Sequence, residues 1–272
     1  MRRSISGPER ANMGLLSPDS ISREVRRVRV AVGYFTRVPM GTIPGFSGSD
    51  LDQASKYLPW IGLGIGAIAA MLFCLFTFWL PQLAAAVLAV VTGMLLTGCF
   101  HEDGLADVCD GFGGGFTPAD KLRIMKDSRI GTYGASALWV VLSLRTAILA
   151  AMEPALGAVL LVVGHALSRI TPLVLIFLLN YVQDAGETRA KPVAQGITAK
   201  GLLVGLLVSA PLAIWQPQLT LIASLILLGV VPLLARLCVR QIGGYTGDYL
   251  GFSQQISEVF IYLGASALWL ST

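Results

Sequence analysis

Four acidic side chains lie within nine residues of a chain that otherwise carries little charge. They are Glu102, Asp103, Asp107 and Asp110, in the segment FHEDGLADVCDGFGGG. On a helix the three aspartates follow an i, i+4, i+7 pattern, so they lie on one face within about 60° of one another. Carboxylates stacked about 6 Å apart repel each other by about 1 kcal/mol per pair even when solvent screens them. The pattern therefore indicates a site that needs a positively charged partner.

The neighbouring sequence does not supply that partner, because the nearest basic residue is Lys121. Carboxylate oxygens are hard ligands, which favour Mg²⁺, Mn²⁺ or Ca²⁺ over zinc. We therefore predict a site for a divalent cation of this kind, in which Asp103, Asp107 and Asp110 are metal ligands and catalytic residues. Two simpler interpretations stay open: a solvated acidic loop, and carboxylates that cap the following helix.

Glycines follow the last aspartate directly, at Gly111, Gly113, Gly114 and Gly115. Glycine ends helices and allows the backbone to approach a ligand closely. We predict that the helix stops there and that Gly111 lies beside a bound phosphate. The Gly-Lys-Ser/Thr sequence of a Walker loop does not follow. A flexible turn without a ligand is the alternative.

The segment DKLRIMKDSRIGTYG, at 120–134, carries basic residues at every third position: Arg123, Lys126 and Arg129. On a helix they form a slanted cationic row, and Arg and Lys donate charge-assisted hydrogen bonds to phosphate oxygens. We predict that this row binds substrate phosphate together with Asp127 and Ser128. The alternative is the ordinary positive charge of a cytoplasmic connection, although such a signal does not need the embedded Asp127.

A second group of candidate residues lies far along the chain, in RQIGGYTGDYLGFSQQISE at 240–258. Gly243, Gly247 and Gly251 leave one helix face bare, which favours close packing against another helix. Asp248 stands next to that face, and we predict that it is a fourth carboxylate ligand of the metal. The alternative is that the glycines serve only to pack one helix against another and that Asp248 is not a ligand.

The composition is typical of an integral membrane protein. Of the 272 residues, 54% are hydrophobic and only 13% are charged, and the mean hydropathy is +0.70. Segments of about 17 to 25 apolar residues can cross a bilayer as helices. The sequence therefore predicts an all-α, polytopic helical bundle with about seven transmembrane helices, near 58–80, 83–100, 136–152, 156–182, 201–215, 219–239 and 259–270.

The distribution of Lys and Arg predicts the orientation of this bundle. Connections rich in basic residues alternate with connections that have none, and the basic connections of membrane proteins face the cytoplasm. We therefore expect the N-terminus and the active site in the cytoplasm. The same bias accounts for the net charge of +4 and the pI of 9.0. Since no basic stripe interleaved with aromatics occurs, we expect no nucleic-acid partner.

The chain divides into a leader and one long domain. Residues 1–27 contain scattered Arg, Ser and Pro without periodicity, which predicts a disordered basic leader attracted to anionic membrane lipid. Residues 28–272 are expected to form a single transmembrane catalytic domain. Within it, Arg169 lies inside an apolar segment, where an ionisable side chain is expensive unless it has a function. We expect Arg169 to bind phosphate; the alternative is a structural partner for a carboxylate.

Carboxylates for a metal, a cationic row and glycine turns at one membrane face are the components of a phosphoryl-transfer site. No motif for a phosphorylated protein nucleophile is present, so we expect direct attack by a hydroxyl group whose proton passes to an aspartate. The alternative of another class is an ion or metal transporter. A transporter would place carboxylates at mid-span in several helices of an internal repeat, and no such repeat is evident.

Four segments carry a resemblance to a known family: FHEDGLADVCDG, KDSRIGTYG, GGYTGDYLGFSQQISE and FTRVP at 35–39. They resemble the cobalamin synthase family of adenosylcobinamide-GDP ribazoletransferases, over most of the chain and in the expected order. The resemblance implies an Mg²⁺-dependent enzyme of the bacterial inner membrane. It also implies that the 5′-hydroxyl side of α-ribazole, or its 5′-phosphate, attacks the cobinamide-linked phosphorus of adenosylcobinamide-GDP. GMP would leave, and adenosylcobalamin or its 5′-phosphate would form.

A second resemblance, to the CDP-alcohol phosphotransferases, is partial. Asp107-x-x-Asp110-Gly111 is similar to the opening of their signature, and Gly244-x-x-x-Asp248 to its later half. The Ala-Arg pair expected after the first glycine is absent, and Phe252 stands where the final aspartate is expected. A phospholipid synthase is therefore the second choice. The sequence leaves the oligomeric state open, a homo-oligomer included.

Overall fold

The structure, a computed structural model, describes residues 18–182 and 193–269. Regular structure within these ranges is helical, apart from one isolated pairing between Tyr181 and Tyr245, which confirms the predicted all-α fold. A short 3₁₀ turn, Ser55–Tyr57, joins the second and third helices. The α-helices are α1 (Pro18–Phe35), α2 (Gly48–Ala54), α3 (Leu58–Thr77), α4 (Gln82–Thr97), α5 (Phe100–Gly114), α6 (Pro118–Met125), α7 (Thr132–Ala151), α8 (Pro154–Ser168), α9 (Ile170–Leu178), α10 (Ala199–Leu206), α11 (Ser209–Trp215), α12 (Pro217–Ile242) and α13 (Gly247–Trp269).

Four segments in the described part of the chain are long and apolar enough to cross a membrane. They are Gly48–Thr77, which joins α2 to α3, Pro154–Leu178, which joins α8 to α9, and the single helices α7 and α12. Helices α4 and α5 qualify only as a pair, and the pair is bent by 91°. The fold is thus compatible with a polytopic membrane protein, whereas the predicted count of about seven spans is not confirmed.

Two of the predicted spans differ from the observed helices for physical reasons. The segment 201–215 is divided between α10 and α11, and neither is long enough to cross a bilayer. The segment 259–270 continues α13, a helix of 23 residues that buries Gln254, Gln255 and Glu258 in its middle. These polar side chains make α13 less hydrophobic than an ordinary spanning helix.

The chain turns sharply between α4 and α5. Gly98 and Cys99 have φ angles of 66° and 59°, in the left-handed region. Glycine adopts this conformation without steric conflict, whereas the Cβ atom of Cys99 makes it unfavourable there. The second apolar segment therefore does not continue straight into the acidic residues. The acids lie on a separate helix, α5, with the helical spacing that the sequence predicts.

Helix α5 packs along α13, and two glycines set how closely they approach. At Gly104 of α5, a Cβ atom would overlap the carbonyl oxygen of Asp248. At Gly251 of α13, a Cβ atom would lie 3.2 Å from the Cα atom of His101. The prediction of a glycine face that packs against another helix is therefore confirmed at Gly251. Gly243 does not belong to that face: it ends α12, in the left-handed region with a φ of 82°.

Helix α1 begins at Pro18, so residues 18–27 are helical and the predicted disordered leader is wrong for them. Two ion pairs hold α1 against the next elements, one between Arg26 and Asp50 at 2.9 Å and one between Glu24 and Lys56 at 2.7 Å. Residues 1–17, the rest of the predicted leader, lie outside the described residues. Residues 183–192, part of one basic connection, also lie outside them.

Candidate functional site

Three of the predicted metal ligands lie near one another where α5 packs against the beginning of α13. We call Asp103, Asp107 and Asp248 the acidic cluster. Asp248 is the second residue of α13, and its backbone lies directly against Gly104, between the two aspartates of α5 in sequence. A larger residue than glycine at 104 would hold the helices apart. The local sequence thus explains how residues more than a hundred positions apart share one site.

The acidic cluster carries more negative than positive charge. Burial, and then the charges of Asp248 and Asp103, raise the pKa of Asp107 from 3.8 to about 7, and Lys126 only partly offsets them. The ammonium group of Lys126 lies 3.6 Å from Oδ2 of Asp248. The negative charges of the two neighbouring carboxylates make it unfavourable for Asp107 to ionise. A bound cation would remove this repulsion. This matches the positive partner that the sequence requires.

Asp110 has a different environment from the acidic cluster. It is buried, and its two oxygens accept hydrogen bonds from the backbone N–H groups of Gly131 at 2.7 Å and Gly134 at 2.8 Å. These donors stand at the N-terminus of α7, where a carboxylate is favoured by the unpaired N–H groups and the helix dipole. Asp110 therefore fastens α7 to α5, as the capping alternative anticipates. Its role as a metal ligand stays a prediction.

A preformed metal cage is absent from the described residues, where no three His, Cys, Asp or Glu side chains converge as ligands. Magnesium does not need such a cage. It usually keeps several waters and is bound through one or two carboxylates together with substrate phosphates. The oxygen donors and unbalanced charge of the acidic cluster fit this mode of binding. The residues present are therefore suited to Mg²⁺ that arrives with a phosphorylated substrate.

The helix ends within the run of glycines that follows Asp110, as the sequence predicts. Helix α5 continues to Gly114, so Gly111 lies inside it. Gly111 is buried against α6, where a Cβ atom would come within 2.5 Å of Cγ of Met125 and 2.9 Å of the carbonyl oxygen of Lys121. Gly111 therefore serves helix packing, and the predicted helix stop is met at the end of the run, at Gly114 and Gly115. The backbone of Gly111 does not face an open phosphate site.

The predicted basic row is divided by the structure. Arg123 lies 3.8 Å from Asp120, one turn earlier in α6, and its side chain is exposed. Arg129 pairs with Asp127 at 2.6 Å, and this contact, followed by a backbone hydrogen bond, lowers the pKa of Asp127 to about 2. Lys126 is the member of the row that contacts the acidic cluster. Ser128 is exposed in the same turn.

A second group of ionisable side chains lies deeper, where α5, α7, α8 and α13 meet. The guanidinium of Arg145 donates to Glu258 at 2.7 Å and to Gln255 at 3.1 Å. The amide of Gln254 donates to the other oxygen of Glu258 at 2.6 Å, and the amide of Gln255 donates to Glu102 at 3.0 Å. We call these five residues the buried network. Arg145 is 1% exposed and Glu258 is 0% exposed.

Arg169 stands beside the buried network rather than beside the basic row. It lies at the junction of α8 and α9, is 2% exposed, and donates to the carbonyl oxygen of His165 at 2.7 Å. Nδ1 of His165 lies 3.5 Å from Glu258. The geometry therefore favours the alternative of a structural partner for a carboxylate over phosphate binding by Arg169.

Sequence reasoning missed the buried network as a unit. The available signal was an arginine inside an apolar segment, Arg145, together with the i, i+4 spacing of Gln254 and Glu258. Polar side chains inside a bundle of apolar helices are expensive unless they pair with one another. This rule predicts a partner for Arg145 but cannot select it from the sequence.

Comparisons with known proteins agree on one family. Residues 27–266 match the family described as cobalamin-5-phosphate synthase. The chain is 44% identical over 251 residues to the adenosylcobinamide-GDP ribazoletransferase of Shewanella sp. strain ANA-3, a match that covers 90% of this chain and 95% of the relative. It is 45% identical over 240 residues to the protein of the same name from Shewanella woodyi, covering 86% and 93%. No solved structure matches the chain.

Proposed function

We infer that this chain, which belongs to the cobalamin-5-phosphate synthase family, transfers ribazole to adenosylcobinamide-GDP in cobalamin biosynthesis. One structural observation carries the assignment of the reaction to a place in the molecule. Asp248 begins α13 against α5, beside Asp103 and Asp107, and Lys126 lies 3.6 Å from Asp248. Carboxylates with an adjacent ammonium group are suited to hold a metal and a phosphate together.

The attacking atom is a ribose hydroxyl other than the 5′-hydroxyl. The family description names cobalamin-5-phosphate, and a product that keeps a phosphate on the ribose 5′-oxygen cannot have formed its new bond through that oxygen. This replaces the expectation that the 5′ side of ribazole attacks. The hydroxyl oxygen bonds to the cobinamide-linked phosphorus, and the bond from that phosphorus to the oxygen of GMP breaks. GMP leaves, and the hydroxyl proton passes to a base.

We propose Mg²⁺ as the cofactor and Asp103, Asp107 and Asp248 as the residues that hold it. When bound, Mg²⁺ neutralises negative charge on the phosphate oxygens and on the leaving GMP. A carboxylate of the acidic cluster accepts the hydroxyl proton. Lys126 directs its ammonium group to a phosphate oxygen. Asp110 keeps α7 and the turn before it in place through its hydrogen bonds to Gly131 and Gly134.

The site is proposed to face the cytoplasm from the bacterial inner membrane. The support is the alternation of basic and non-basic connections in the sequence, which follows the positive-inside rule. Tagging the two termini and residue Pro81, in a connection without basic residues, and labelling intact cells from outside would test this orientation. The expected result is that the label reacts at residue 81 from the periplasm and that the N-terminal tag is protected.

The reaction is tested with the purified full-length protein in detergent or in its membranes. Adenosylcobinamide-GDP and ribazole, with and without a 5′-phosphate, are supplied with Mg²⁺, and the release of GMP is measured. GMP should appear only when donor and acceptor are both present. Release of CMP from a CDP-alcohol without GMP from the cobinamide donor would instead support the phospholipid synthase. Metal flux into proteoliposomes without turnover would support the transporter.

A further inference from the structure

The FTRVP segment, at 35–39, has no part in the steps above, yet it borders an open groove. The groove has a volume of about 520 Å³ and lies between the end of α1 and the residues that follow it, up to Phe46. Ligand sites in proteins commonly have volumes of about 300 to 1,000 Å³. Among the described residues that line the groove, Arg37 is the one that carries a charge.

The guanidinium of Arg37 lies against the turn that begins α5. A Cβ atom built on Gly98 would overlap the Nε atom of Arg37 and would lie 2.7 Å from its Cζ atom. The backbone N–H of Arg37 donates to the carbonyl oxygen of Leu96 at 2.7 Å, which holds the segment against the end of α4. Arg37 is therefore fixed beside the N-terminus of the helix that carries Asp103 and Asp107.

Two residues connect the groove with the acidic cluster. The backbone N–H of Asp103 donates to the carbonyl oxygen of Cys99 at 2.9 Å, in the turn that Arg37 contacts. Burial, followed by nearby carboxylates that include Asp103, raises the pKa of the Cys99 thiol, and Arg37 offsets part of this rise. On the groove wall, burial, with a contribution from the charge of Asp248, raises the pKa of Tyr34 to about 12. The groove thus lies within electrostatic reach of both helices of the acidic cluster.

The guanidinium of Arg37 differs from those of two arginines on α1. Arg26 pairs with Asp50 at 2.9 Å, and Arg27 pairs with Glu24. Arg37 is exposed and forms no ion pair with any carboxylate in the described part of the chain. An arginine whose donors are not taken by a carboxylate can bind a phosphate through two parallel hydrogen bonds. The groove therefore suits a ligand that carries a phosphate group.

We propose that Arg37 binds the 5′-phosphate of the acceptor in this groove, an inference that rests on the proposed function. The family description names cobalamin-5-phosphate, so this phosphate takes no part in the transfer and needs a cation of its own. Lys126, beside Asp248, is assigned to the donor. One ribose separates the 5′-phosphate from the attacking hydroxyl. The phosphate can therefore contact Arg37 while the hydroxyl reaches the acidic cluster.

The test compares ribazole 5′-phosphate with ribazole as acceptors for the full-length enzyme, with GMP release as the readout. We define the acceptor ratio as kcat/KM for the phosphorylated acceptor divided by kcat/KM for ribazole. The wild-type ratio should be well above one. Arg37→Gln should lower the ratio about tenfold to a hundredfold, because hydrogen bonds to a charged group are lost. Arg23→Gln, at an exposed arginine of α1, is the matched control and should keep the wild-type ratio.

A second pair of variants leaves Arg37 in place and decides the question if Arg37→Gln does not accumulate as folded protein. Val38 lines the groove and is 45% exposed, so a polar side chain can be accommodated there. Val38→Glu adds a carboxylate that repels the phosphate or pairs with Arg37, and it should lower the acceptor ratio about fivefold. Val38→Gln has nearly the same shape without the charge and should not lower the ratio.

An equal loss of kcat/KM with both acceptors in Arg37→Gln would overturn the proposal and would leave Arg37 as a cation that stabilises the end of α4. A higher KM for adenosylcobinamide-GDP with an unchanged acceptor ratio would also overturn it and would assign Arg37 to the donor. A wild-type enzyme that uses both acceptors equally would do the same. A wild-type enzyme that releases no GMP with either acceptor would overturn the proposed function itself. The two failures are distinguishable because the first three outcomes require an active enzyme.

Discussion

The acidic cluster and the buried network use the same two helices for opposite purposes. Both lie where α5 packs against α13: side chains make the contact in the buried network, and Gly104 against the backbone of Asp248 makes it at the acidic cluster. In the buried network, the guanidinium of Arg145 offsets Glu258, and amides occupy further oxygens. In the acidic cluster, three carboxylates face one ammonium group, that of Lys126. The paired charges of the buried network stabilise the fold. The excess negative charge of the acidic cluster favours the binding of a cation.

The boundary between the two regions falls between consecutive residues. Glu102 and Asp103 are neighbours on α5, yet Glu102 is buried and accepts from Gln255 while Asp103 is exposed. A rotation of about 100° per residue separates them around the helix. On α13, Asp248 belongs to one region, and Gln255, about two turns later, belongs to the other. The same pair of helices, α5 and α13, therefore carries both the buried network and the more exposed acidic cluster.

The largest expected effect on activity comes from the acidic cluster. Asp107→Asn, or removal of divalent metal with a chelator, should lower kcat/KM for GMP release by about a thousandfold, because metal neutralisation of phosphate charge is worth several kcal/mol. Thermal stability should not fall, since burial and neighbouring charges already disfavour the ionised form of Asp107. Asp120→Asn, an exposed acid on α6, is the control. Near-normal turnover of Asp107→Asn would remove this residue from the site.

The buried network should show the reverse behaviour. Arg145→Met removes the guanidinium that pairs with the buried carboxylate of Glu258, which costs about 3 to 5 kcal/mol and should reduce the amount of folded protein in the membrane. Glu258→Gln added to Arg145→Met should recover part of this loss. Thermal unfolding monitored by size-exclusion chromatography measures both variants. If the single variant were as stable as the wild type, the network would not be structural.

The approach of the two helices is tested by a pair of glycines. Gly104→Ala places a methyl group in overlap with the backbone of Asp248, whereas Gly251→Ala meets His101 at 3.2 Å, which a small adjustment relieves. We expect Gly104→Ala to lower activity about tenfold to a hundredfold and to raise the Mg²⁺ concentration for half-maximal rate. Gly251→Ala should have a smaller effect on both. Equal effects would mean that the glycines serve packing alone.

The smallest expected effects distinguish members of the basic row. Lys126→Ala should raise KM for adenosylcobinamide-GDP about tenfold, because a charge-assisted contact to phosphate is lost. Arg129→Ala should raise it only about twofold, since the side chain is 86% exposed and already pairs with Asp127. Lys126→Arg should retain most activity. A larger effect at Arg129 than at Lys126 would favour the continuous row that the sequence predicts.

Much of the fold class and the core of the candidate site could be predicted because they depend on local patterns. Apolar segments indicate helices, and the spacing of Asp103 and Asp107 indicates a shared face whatever the rest of the chain does. The placement of Asp248 beside them could be proposed only through the glycines around it. The sequence could not predict that Asp110 accepts hydrogen bonds from another helix. Its donors, Gly131 and Gly134, lie at the N-terminus of α7, and only the tertiary fold brings them to α5.

The remaining differences arise where packing overrides local propensity. Gly111 suggests a helix end, but α6 packs so closely there that glycine is required inside the helix. Arg169 suggests a ligand contact because it is charged in an apolar segment, yet the carbonyl oxygen of His165 and the nearby Glu258 account for its burial. Such partners come from tertiary contacts, and a single sequence does not specify them.

The left-handed pair Gly98 and Cys99 determines the direction of the helix that carries the acidic residues. A straight continuation of α4 would have set Asp103 and Asp110 about 10 Å apart along the direction of that helix. The bend of 91° instead carries α5 sideways, so all three of its aspartates lie at nearly the same height relative to α4. In the proposed reaction, substrates that differ in size and polarity can then meet these carboxylates in one plane, without either having to descend among the apolar helices.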